Sequence, residues 1–361
     1  MKILILTQKV DSSDPILGFF LGWIRGLARH CDNVVVVCLY KGTYDLPDNV
    51  KVYSLGKEKI QNYEKMSVRA VSRIFFTLRF FKYIIAERKN YDAVFVHMNI
   101  VYVLVGGWLW KLLGKKISLW HAHGYTSRRL KIAEKITDII FTSTASGCRL
   151  ESKKIKIIGQ GTDVQKFKCE TDRKDGVMNL ITIGRISPAK DYETILEAAK
   201  ILKEQAFEFI LHIIGGAGLT EHETYFDKIK NYVKINNLTA NVKFHGPVRN
   251  DEITKHLCEA DLFINTSYTG SLDKGILEAM SCGLPVLTCN EAFFECGFSN
   301  AKEFTFKKGD FKELAEKILS FSKKERLEKD ELGKELRDVI IKGHSLETLT
   351  NRIISNLELK K

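Results

Sequence analysis

Residues 261–290 read DLFINTSYTGSLDKGILEAMSCGLPVLTCN, and this stretch decides the fold. The apolar residues 261–265 predict a buried strand, a polar loop containing Gly270 follows, and a helix carrying Glu278 comes next. A second apolar strand begins at Val286. This order of strand, loop, helix and strand is typical of a parallel sheet whose carboxyl edge meets a helix N-terminus. Anionic ligands bind at such edges, so the stretch predicts a nucleotide or phosphosugar site.

Length and composition are those of a globular protein with two domains. The chain has 361 residues, of which 45% are apolar and 28% are charged, as in ordinary soluble domains. Its apolar N-terminal run is interrupted at Lys9, which is too soon for a signal peptide. The segment 98–110 lacks charges but is shorter than the roughly 20 residues that a spanning helix needs. We therefore expect a cytoplasmic protein without transmembrane segments.

The cysteines give no metal-binding motif. No Cys-x-x-Cys pair occurs, and although Cys282, Cys289 and Cys296 recur every seven residues, a strand entry at 283–286 separates the first two. One straight helix cannot align all three, so the sequence predicts reduced thiols and no metal site. The eight cysteines are Cys31, Cys38, Cys148, Cys169, Cys258, Cys282, Cys289 and Cys296.

The net positive charge lies entirely in the first half of the chain. Residues 1–172 hold 28 Lys and Arg against 15 Asp and Glu, a net +13, whereas residues 173–361 carry a net −1. Such asymmetry indicates an anionic partner for the first half: nucleic acid, a phospholipid surface or a pyrophosphate-linked substrate. The helical pattern at 65–89 interleaves basic and aromatic residues. It fits a helix in an anionic lipid interface as well as a sheet-covering helix with a basic edge.

Alternating strands and helices predict two successive α/β domains. The charged segment 168–178 has the composition of a linker between them, and the Lys- and Glu-rich run 323–342 predicts a pair of solvent-facing helices. The first loop lacks Gly-x-Gly-x-x-Gly, so a dinucleotide site is only weakly supported. Strands are predicted at 2–7, 34–37, 50–54, 91–96, 115–120, 139–142 and 155–158, and then at 179–183, 209–214, 242–244, 261–265 and 286–287.

Two histidines follow one of these strands. His121 and His123 come directly after the strand at 115–120 and precede Gly124. Ligands bind at the carboxyl ends of parallel strands, although a single histidine is more often structural. The pair favours a functional role.

Two cations and a glycine loop follow strands of the second half. Arg185 and Lys190 stand five residues apart, after a strand and before a helix N-terminus. They can clamp a diphosphate from two sides, or they are surface cations at a capped helix start. Gly215 and Gly216 begin a further loop whose backbone a ligand can approach closely.

Five short motifs in this order give the chain a resemblance to a known family. Together they resemble the retaining GT-B glycosyltransferases of the group 1, or GT4, type, and the resemblance covers nearly the whole chain. Each motif alone is weak, but five in the right order and spacing are specific. The motifs are Gly161-Thr162-Asp163; Gly184-Arg185 with Lys190; Gly215-Gly216 with Gly218; Phe244 with Gly246; and Leu277-Glu278-Ala279-Met280 with Gly283, Pro285 and Val286.

The resemblance implies a GT-B architecture of the α/β class, with two Rossmann-like domains facing across a cleft. We expect an N-terminal domain over 1–170 that faces the acceptor and the membrane. A C-terminal domain over 171–345 is expected to bind the nucleotide sugar. The last helix, 346–361, is expected to cross back and pack on the N-terminal domain.

The resemblance also implies roles for individual residues. Arg185 and Lys190 match the cations that hold the donor diphosphate, and Glu278 matches the carboxylate that takes the ribose hydroxyls. Gly18 lies where the family brings a glycine-containing loop to the phosphates, and His123 matches a histidine beside the transferred sugar. His123, Arg185 and Lys190 are the expected catalytic residues. The expected donor-binding residues are Gly18, Gly184, Arg185, Lys190, Gly215, Gly216, Gly270, Ser271, Leu272, Asp273, Lys274 and Glu278.

One position departs from the family pattern. The family often has a glutamate eight residues before the ribose-binding glutamate, and here that position is Gly270. The loop from Gly270 to Lys274 reads GSLDK, which resembles a variant within the family. Asp273, or the backbone amides of Ser271 and Leu272, would then take over contacts to the sugar.

The expected activity is transfer of a hexose from a nucleoside diphosphate sugar to a hydroxyl acceptor with retention of configuration. The acceptor is expected to be a glycan, as a lipid-linked or cell-surface glycan precursor. Two cations stand ready for the diphosphate and no Asp-x-Asp occurs, so we expect no metal and no cofactor.

Other functions remain open from the sequence alone. A sugar-nucleotide epimerase could use the same fold, and a basic non-catalytic protein that binds nucleotides or nucleic acid would explain the charge. No nucleic-acid recognition motif occurs, so we expect no nucleic-acid partner. The basic N-terminal domain instead predicts peripheral binding to an anionic membrane surface, on the inner face of the membrane.

Overall fold

The structure is a computed structural model that describes residues 1–14, 16–60, 63, 65–170, 176–218, 220–249, 252–267 and 270–358. Contacts divide the chain into two compact units, Met1–Gly161 with Leu346–Lys361, and Thr162–Ser345. This boundary precedes the predicted one at 170/171, because the described parts of the expected linker, 168–170 and 176–178, belong to the second unit. The linker's remaining residues, 171–175, lie outside the described part of the chain.

The first unit is built on seven parallel strands. They are β1 (Lys2–Val10), β2 (Asn33–Lys41), β3 (Val50–Ser54), β4 (Ala93–His97), β5 (Lys116–Trp120), β6 (Ile139–Thr142) and β7 (Ile155–Ile157). They pair in the order β3-β2-β1-β4-β5-β6-β7. The helices of this unit are α1 (Phe20–Ala28), α2 (Met66–Ala86), α3 (Ile100–Leu112), α4 (Arg128–Ile136) and the C-terminal helix Leu346–Leu357.

Side-chain alternation explains why helices cover both faces of this sheet. Ile3 and Ile5 of β1 pack in one core with residues of α1 and the C-terminal helix. Leu4 and Leu6 pack in a second core with residues of α2 and α3. Successive strand residues point to opposite faces, so a parallel sheet buried on both sides needs continuous apolar runs such as these.

The second unit repeats the design with five parallel strands. They are β8 (Met178–Ile183), β9 (Phe209–Ile214), β10 (Val242–Gly246), β11 (Leu262–Asn265) and β12 (Val286–Thr288), in the order β10-β9-β8-β11-β12. Its helices are α5 (Tyr192–Glu204), α6 (Glu223–Ile235), α7 (Ile253–Glu259), α8 (Lys274–Ser281), α9 (Phe311–Ser322) and α10 (Arg326–Val339). Two parallel sheets covered by helices confirm the predicted α/β class.

The predicted helix pair at 323–342 is wrong. The structure has one helix, α10, followed by a π-helical turn at Ile340–His344. Gly333 and Leu336, one turn apart, are the buried residues of α10. A Cβ at residue 333 would lie 2.5 Å from the carbonyl oxygen of Gly283, so glycine lets the helix pass that loop closely without interruption.

The expectation that all cysteines are reduced is also wrong. Cys169 and Cys258 form a disulfide with a Cα–Cα distance of 5.5 Å, and the other six cysteines are not in disulfides. The two partners are 89 residues apart in sequence, so no local spacing could reveal the pair.

Among the residues whose structure is described, no helix is long and apolar enough to cross a bilayer.

Candidate functional site

The predicted donor-binding loops of the second unit meet where its strand order reverses. The chain runs from β8 through β9 to β10 on one side of β8, and then continues with β11 and β12 on the other. Open α/β sheets bind ligands at the carboxyl ends of the strands beside such a reversal. Gly184 follows β8, Gly215 follows β9, and the loop at Gly270 follows β11. The structure therefore brings these three predicted loops to one edge of the sheet.

Glycine is required where the first two loops touch. Gly215 has φ +140°, and a Cβ on it would lie 1.9 Å from the carbonyl oxygen of Gly184. The amide of Ile186 donates to the carbonyl of Gly216 at 2.8 Å, which continues the pairing of the two strands beyond their ends. A residue larger than glycine at position 215 would disrupt this close contact between the two loops.

Arg185 and Lys190 differ in how their charges are placed. Arg185 is exposed, its stem lies beside Gly218, and it has no acidic partner in the part of the chain that the structure covers. The Lys190 side chain lies beside Gly184, where a Cβ would be 3.3 Å from its Cε, and its ammonium pairs with the Asp273 carboxylate. One cation is therefore open to an anion, and the other is held in place by an acid.

Asp273 anchors Lys190 to the start of α8. Its carboxylate accepts from the amide of Gly275 at 3.1 Å, as the N-cap of the helix, and from Nδ2 of Asn265 at 3.1 Å. Burial raises the pKa of Asp273. The charge of Lys190 and these hydrogen bonds lower the pKa by more than burial raises it, so it lies below its usual value. The carboxylate is therefore ionised near neutral pH.

Glu278 is a buried carboxylate whose Oε1 can still accept a hydrogen bond. Its side chain is 6% exposed, and the ammonium of Lys274 lies 3.0 Å from Oε1. The angle of this approach is not that of a hydrogen bond, and Oε1 accepts none within the described ranges. Buried polar atoms are nearly always satisfied, so this oxygen is suited to receive a donor from a ligand.

The loop between β11 and α8 offers backbone groups rather than side chains. The Leu272 side chain is buried in the core of the second unit, and the Ser271 carbonyl accepts from Nδ2 of Asn290 at 3.0 Å. The amides of Gly270, Ser271 and Leu272 donate no hydrogen bond to any described residue. Three amides can therefore meet a ligand here.

Gly18 lies in a tight loop after β1 of the first unit. Its amide donates to the carbonyl oxygen of Asp14 at 3.0 Å, and a Cβ on it would lie 2.6 Å from that oxygen. The Asp14 carboxylate accepts from the amides of Ile16 and Leu17 and pairs with Lys9 at 2.6 Å. These contacts fix the loop beside the point where the strand order of this sheet reverses, between β1 and β4.

His123 is exposed after β5. Its Nδ1 accepts from the amide of Tyr125 at 3.1 Å, and its own amide donates to the carbonyl of Gly147 at 2.7 Å. In the neutral ring, Nε2 therefore carries the proton and points away from these contacts.

His121 was noted in the sequence together with His123, but it was not among the expected site residues. It is buried, and neither ring nitrogen has a hydrogen-bond partner in the described structure. Burial, and then the nearby His123, lower the pKa of His121, so the ring is neutral near pH 7. Its place at the end of a strand, two residues before His123, was the signal in the sequence, but that place did not show which of the two rings is buried.

The fold and the site define a two-unit α/β protein whose second sheet carries glycine loops, Arg185 and Lys190 at its carboxyl edge. Residues 163–341 match the model of the family described as glycosyl transferases group 1. This part of the chain, about half of its length, belongs to the group 1 glycosyl transferases.

The relatives and solved structures that it resembles agree with this assignment. It is 28% identical over 189 residues to the amylovoran biosynthesis glycosyltransferase AmsK of Erwinia amylovora, covering 50% of this chain and 44% of AmsK. It is 27% identical over 157 residues to mannosylfructose-phosphate synthase of Agrobacterium fabrum (strain C58 / ATCC 33970), covering 40% and 35%. The match thus spans less than half the length of these two relatives.

Solved structures extend the likeness to the whole chain. The structure matches Anabaena Alr3699/HepE in complex with UDP over 99% of both chains, with a TM-score of 0.75 and 18% identity. At this identity the likeness shows the fold, which is the GT-B fold that the sequence predicted.

Proposed function

We propose that this chain is a retaining glycosyltransferase that moves a hexose from a nucleoside diphosphate sugar to a hydroxyl acceptor. One observation carries the proposal. The edge of the second sheet combines Arg185, which has no acidic partner among the described residues, Lys190 anchored by Asp273, and the buried Glu278, whose Oε1 accepts no hydrogen bond from those residues. Cations suit a diphosphate, and a carboxylate suits the two hydroxyls of a ribose. HepE was solved with UDP and with UDP-glucose, which supports a nucleotide-sugar donor.

In the proposed reaction, the chain stabilises the leaving group. The bond from the anomeric carbon to the diphosphate oxygen breaks, and Arg185 and Lys190 stabilise the charge that develops on that oxygen. Asp273 keeps the Lys190 ammonium in position. The acceptor oxygen attacks from the same face as the leaving phosphate, which takes up the acceptor's proton. The family resemblance assigns His123 to the transferred sugar and the loop at Gly18 to the phosphates.

The acceptor is proposed to be a lipid-linked glycan precursor. A cavity of about 560 Å³ lies between α2 and α3 of the first unit, with apolar walls that include Phe76, Phe80 and Val105. Arg73 and Arg129 also line it, and neither has an acidic partner in the described residues. Apolar walls suit a lipid chain, and two arginines suit its phosphate or diphosphate head.

The outer face of these helices supports binding to the inner, cytoplasmic surface of an anionic membrane. Exposed apolar side chains lie on both helices, among them Phe75 and Leu78 of α2 and Trp108 of α3. Together with the basic residues of α2, they match an interfacial helix surface. Pelleting with vesicles, with and without anionic lipid, tests this surface. Duplex DNA serves as the competing ligand, and binding to DNA alone would favour the nucleic-acid alternative.

A screen of donors tests the activity. The purified chain is incubated without acceptor and with UDP-, GDP- and ADP-sugars, and the release of nucleoside diphosphate is measured. We expect slow hydrolysis of one donor class, abolished by Lys190→Ala and unchanged by Lys312→Ala on the exposed face of α9. Absence of both hydrolysis and nucleotide binding for every donor would overturn the proposal. Interconversion of the sugar without its release would favour the epimerase.

A further inference from the structure

Three cysteines of the second unit come together outside the donor site. The Sγ atoms of Cys169, Cys258 and Cys282 all lie within 4.8 Å of one another. They belong to three separate segments: the chain before β8, the last turn of α7, and the position after the last residue of α8. Cys282 is buried, and the other two are half-buried. The motifs that carry the family resemblance include none of these cysteines, and the proposed transfer does not use them.

We propose that in the reduced protein these three thiols bind one thiophilic divalent cation of the zinc class. Zinc–sulfur bonds of about 2.3 Å place tetrahedral sulfur ligands about 3.8 Å apart. Once the Cys169–Cys258 bond is reduced, the three sulfurs, which lie within 4.8 Å of one another, need shifts of about 1 Å to reach that spacing. The half-buried side of the cluster leaves the fourth ligand position to water.

Helix ends favour a cation at this place. Cys258 lies next to the last residue of α7, and Cys282 is the C-cap of α8, where its amide donates to the carbonyls of Glu278 and Ala279. Helix C-termini carry partial negative charge, which stabilises cations and disfavours unpaired thiolates. Thiolates at these positions therefore gain more from a bound cation than thiolates elsewhere.

The third segment is held rigidly against α8. The carbonyl of Phe167, two residues before Cys169, accepts from Oγ of Ser281 at 2.8 Å and from Nη1 of Arg337 at 2.8 Å. Cys169 therefore stays beside Cys282 whether or not its sulfur is bonded to Cys258. Ligands held in place before metal binding lose little conformational entropy when it occurs.

The disulfide and the cation exclude each other. Binding releases protons: one divalent cation and three thiols give a tris-thiolate complex and three protons. Oxidation by a disulfide oxidant, such as oxidised glutathione, removes two electrons and two thiolate ligands. It forms the Cys169–Cys258 bond seen in the structure and releases the cation. The oxidised glutathione takes up the two electrons and two protons to give two glutathione thiols, and the Cys282 thiolate takes up a third proton from solvent. The site is therefore filled only under reducing conditions.

Cadmium titration of the full chain tests the proposal. The protein is reduced with a phosphine, kept anaerobic and titrated with Cd²⁺, whose charge-transfer absorption reports bound thiolates. We expect one Cd²⁺ per chain, displaced by Zn²⁺, with affinity more than about 10-fold lower in Cys282→Ser. The Cys289→Ser variant is the matched control and should bind as the unaltered chain does. The oxidised chain should bind none.

The ¹¹³Cd chemical shift of the unaltered chain gives a readout that needs no variant, because it reports the number of sulfur ligands directly. A shift typical of three sulfurs supports the site. No stoichiometric binding by the folded, reduced chain would overturn it. Unchanged affinity in a folded Cys282→Ser would also overturn it, and the cysteines would then form a disulfide only.

Discussion

The Lys190–Asp273 pair allows a sharp test of the donor site. The two side chains are 20% and 12% exposed, so their interaction is largely shielded from solvent. Lys190→Ala removes one charged donor from Asp273 and leaves two neutral ones, from Asn265 and Gly275. Breaking a fully buried pair costs about 3–5 kcal/mol. Because two hydrogen bonds remain and water reaches the pair, we expect a loss of about 1–3 kcal/mol in the free energy of unfolding.

The effect of Lys190→Ala on activity should be much larger than its effect on stability. Loss of a preorganised donor at a developing negative charge costs about 10²–10³-fold in kcat. Asp273→Asn should lower the free energy of unfolding by about 0.5–1.5 kcal/mol, because the amide oxygen still caps α8. The loss of unfolding free energy in the double variant should be about 1 kcal/mol smaller than the sum of the losses in the two single variants. Urea unfolding measures the free energies of unfolding, and turnover with the best donor measures kcat. Additive losses, or a kcat within about threefold of the unaltered chain in Lys190→Ala, would refute this account of the site.

Three further predictions follow from single contacts. Gly215→Ala should lower the free energy of unfolding by more than about 2 kcal/mol, because the added Cβ would clash with Gly184. Gly297 has φ +91° and open space around it, so Gly297→Ala should lower the same free energy by only about 1 kcal/mol. Urea unfolding measures both variants, and equal losses would contradict the loop contact. His121→Phe removes two buried nitrogens that have no hydrogen-bond partner among the described residues. The variant should leave the free energy of unfolding within about 1 kcal/mol while lowering kcat/KM for transfer, and unchanged kinetics would assign His121 to the core alone. The pKa of Asp273 is lowered by folding, so its ionised form stabilises the native state above its unfolded pKa of about 3.9. The difference in unfolding free energy between the unaltered chain and Asp273→Asn should stay constant from pH 7 to 5 and shrink as the pH falls through the lower folded pKa. If that difference grew on acidification, folding would raise the pKa of Asp273 instead of lowering it.

The sequence predicted those parts of the fold that depend on buried periodicity. The run of four valines at 34–37 was recognisable because a strand covered on both faces must be apolar throughout. Helices α4 and α6 were not predicted, since each buries only two residues, Leu130 and Ala133 in one and Ile229 and Val233 in the other. The unit boundary at Gly161 and Thr162 has no composition signal, because the chain there is a short loop between packed elements.

The sequence predicted at which edge of the sheet the candidate site residues lie, but it did not predict which of their side chains contact each other. Glu278 and Lys190 lie at the expected edge because they follow parallel strands, and the strand order fixes that edge. That Asp273 pairs with Lys190 could not be inferred, since 83 residues separate them and the contact depends on β8 and β11 being neighbours. The same limit concealed the cysteine cluster, which joins three segments that are distant in sequence.

The absence of an acid at residue 270 changes how a sugar can be recognised. An ionised carboxylate has about four acceptor positions, and three groups already donate to Asp273: Lys190, Asn265 and Gly275. Asp273 can therefore accept about one further hydrogen bond, and it cannot replace a glutamate whose oxygens would all be available to sugar hydroxyls. The amides from Gly270 to Leu272 have the opposite polarity, because they donate to sugar oxygens. Specificity at this loop should thus depend on where the sugar presents its oxygens as acceptors. Lys190, which Asp273 holds in place, is the proposed contact to the diphosphate.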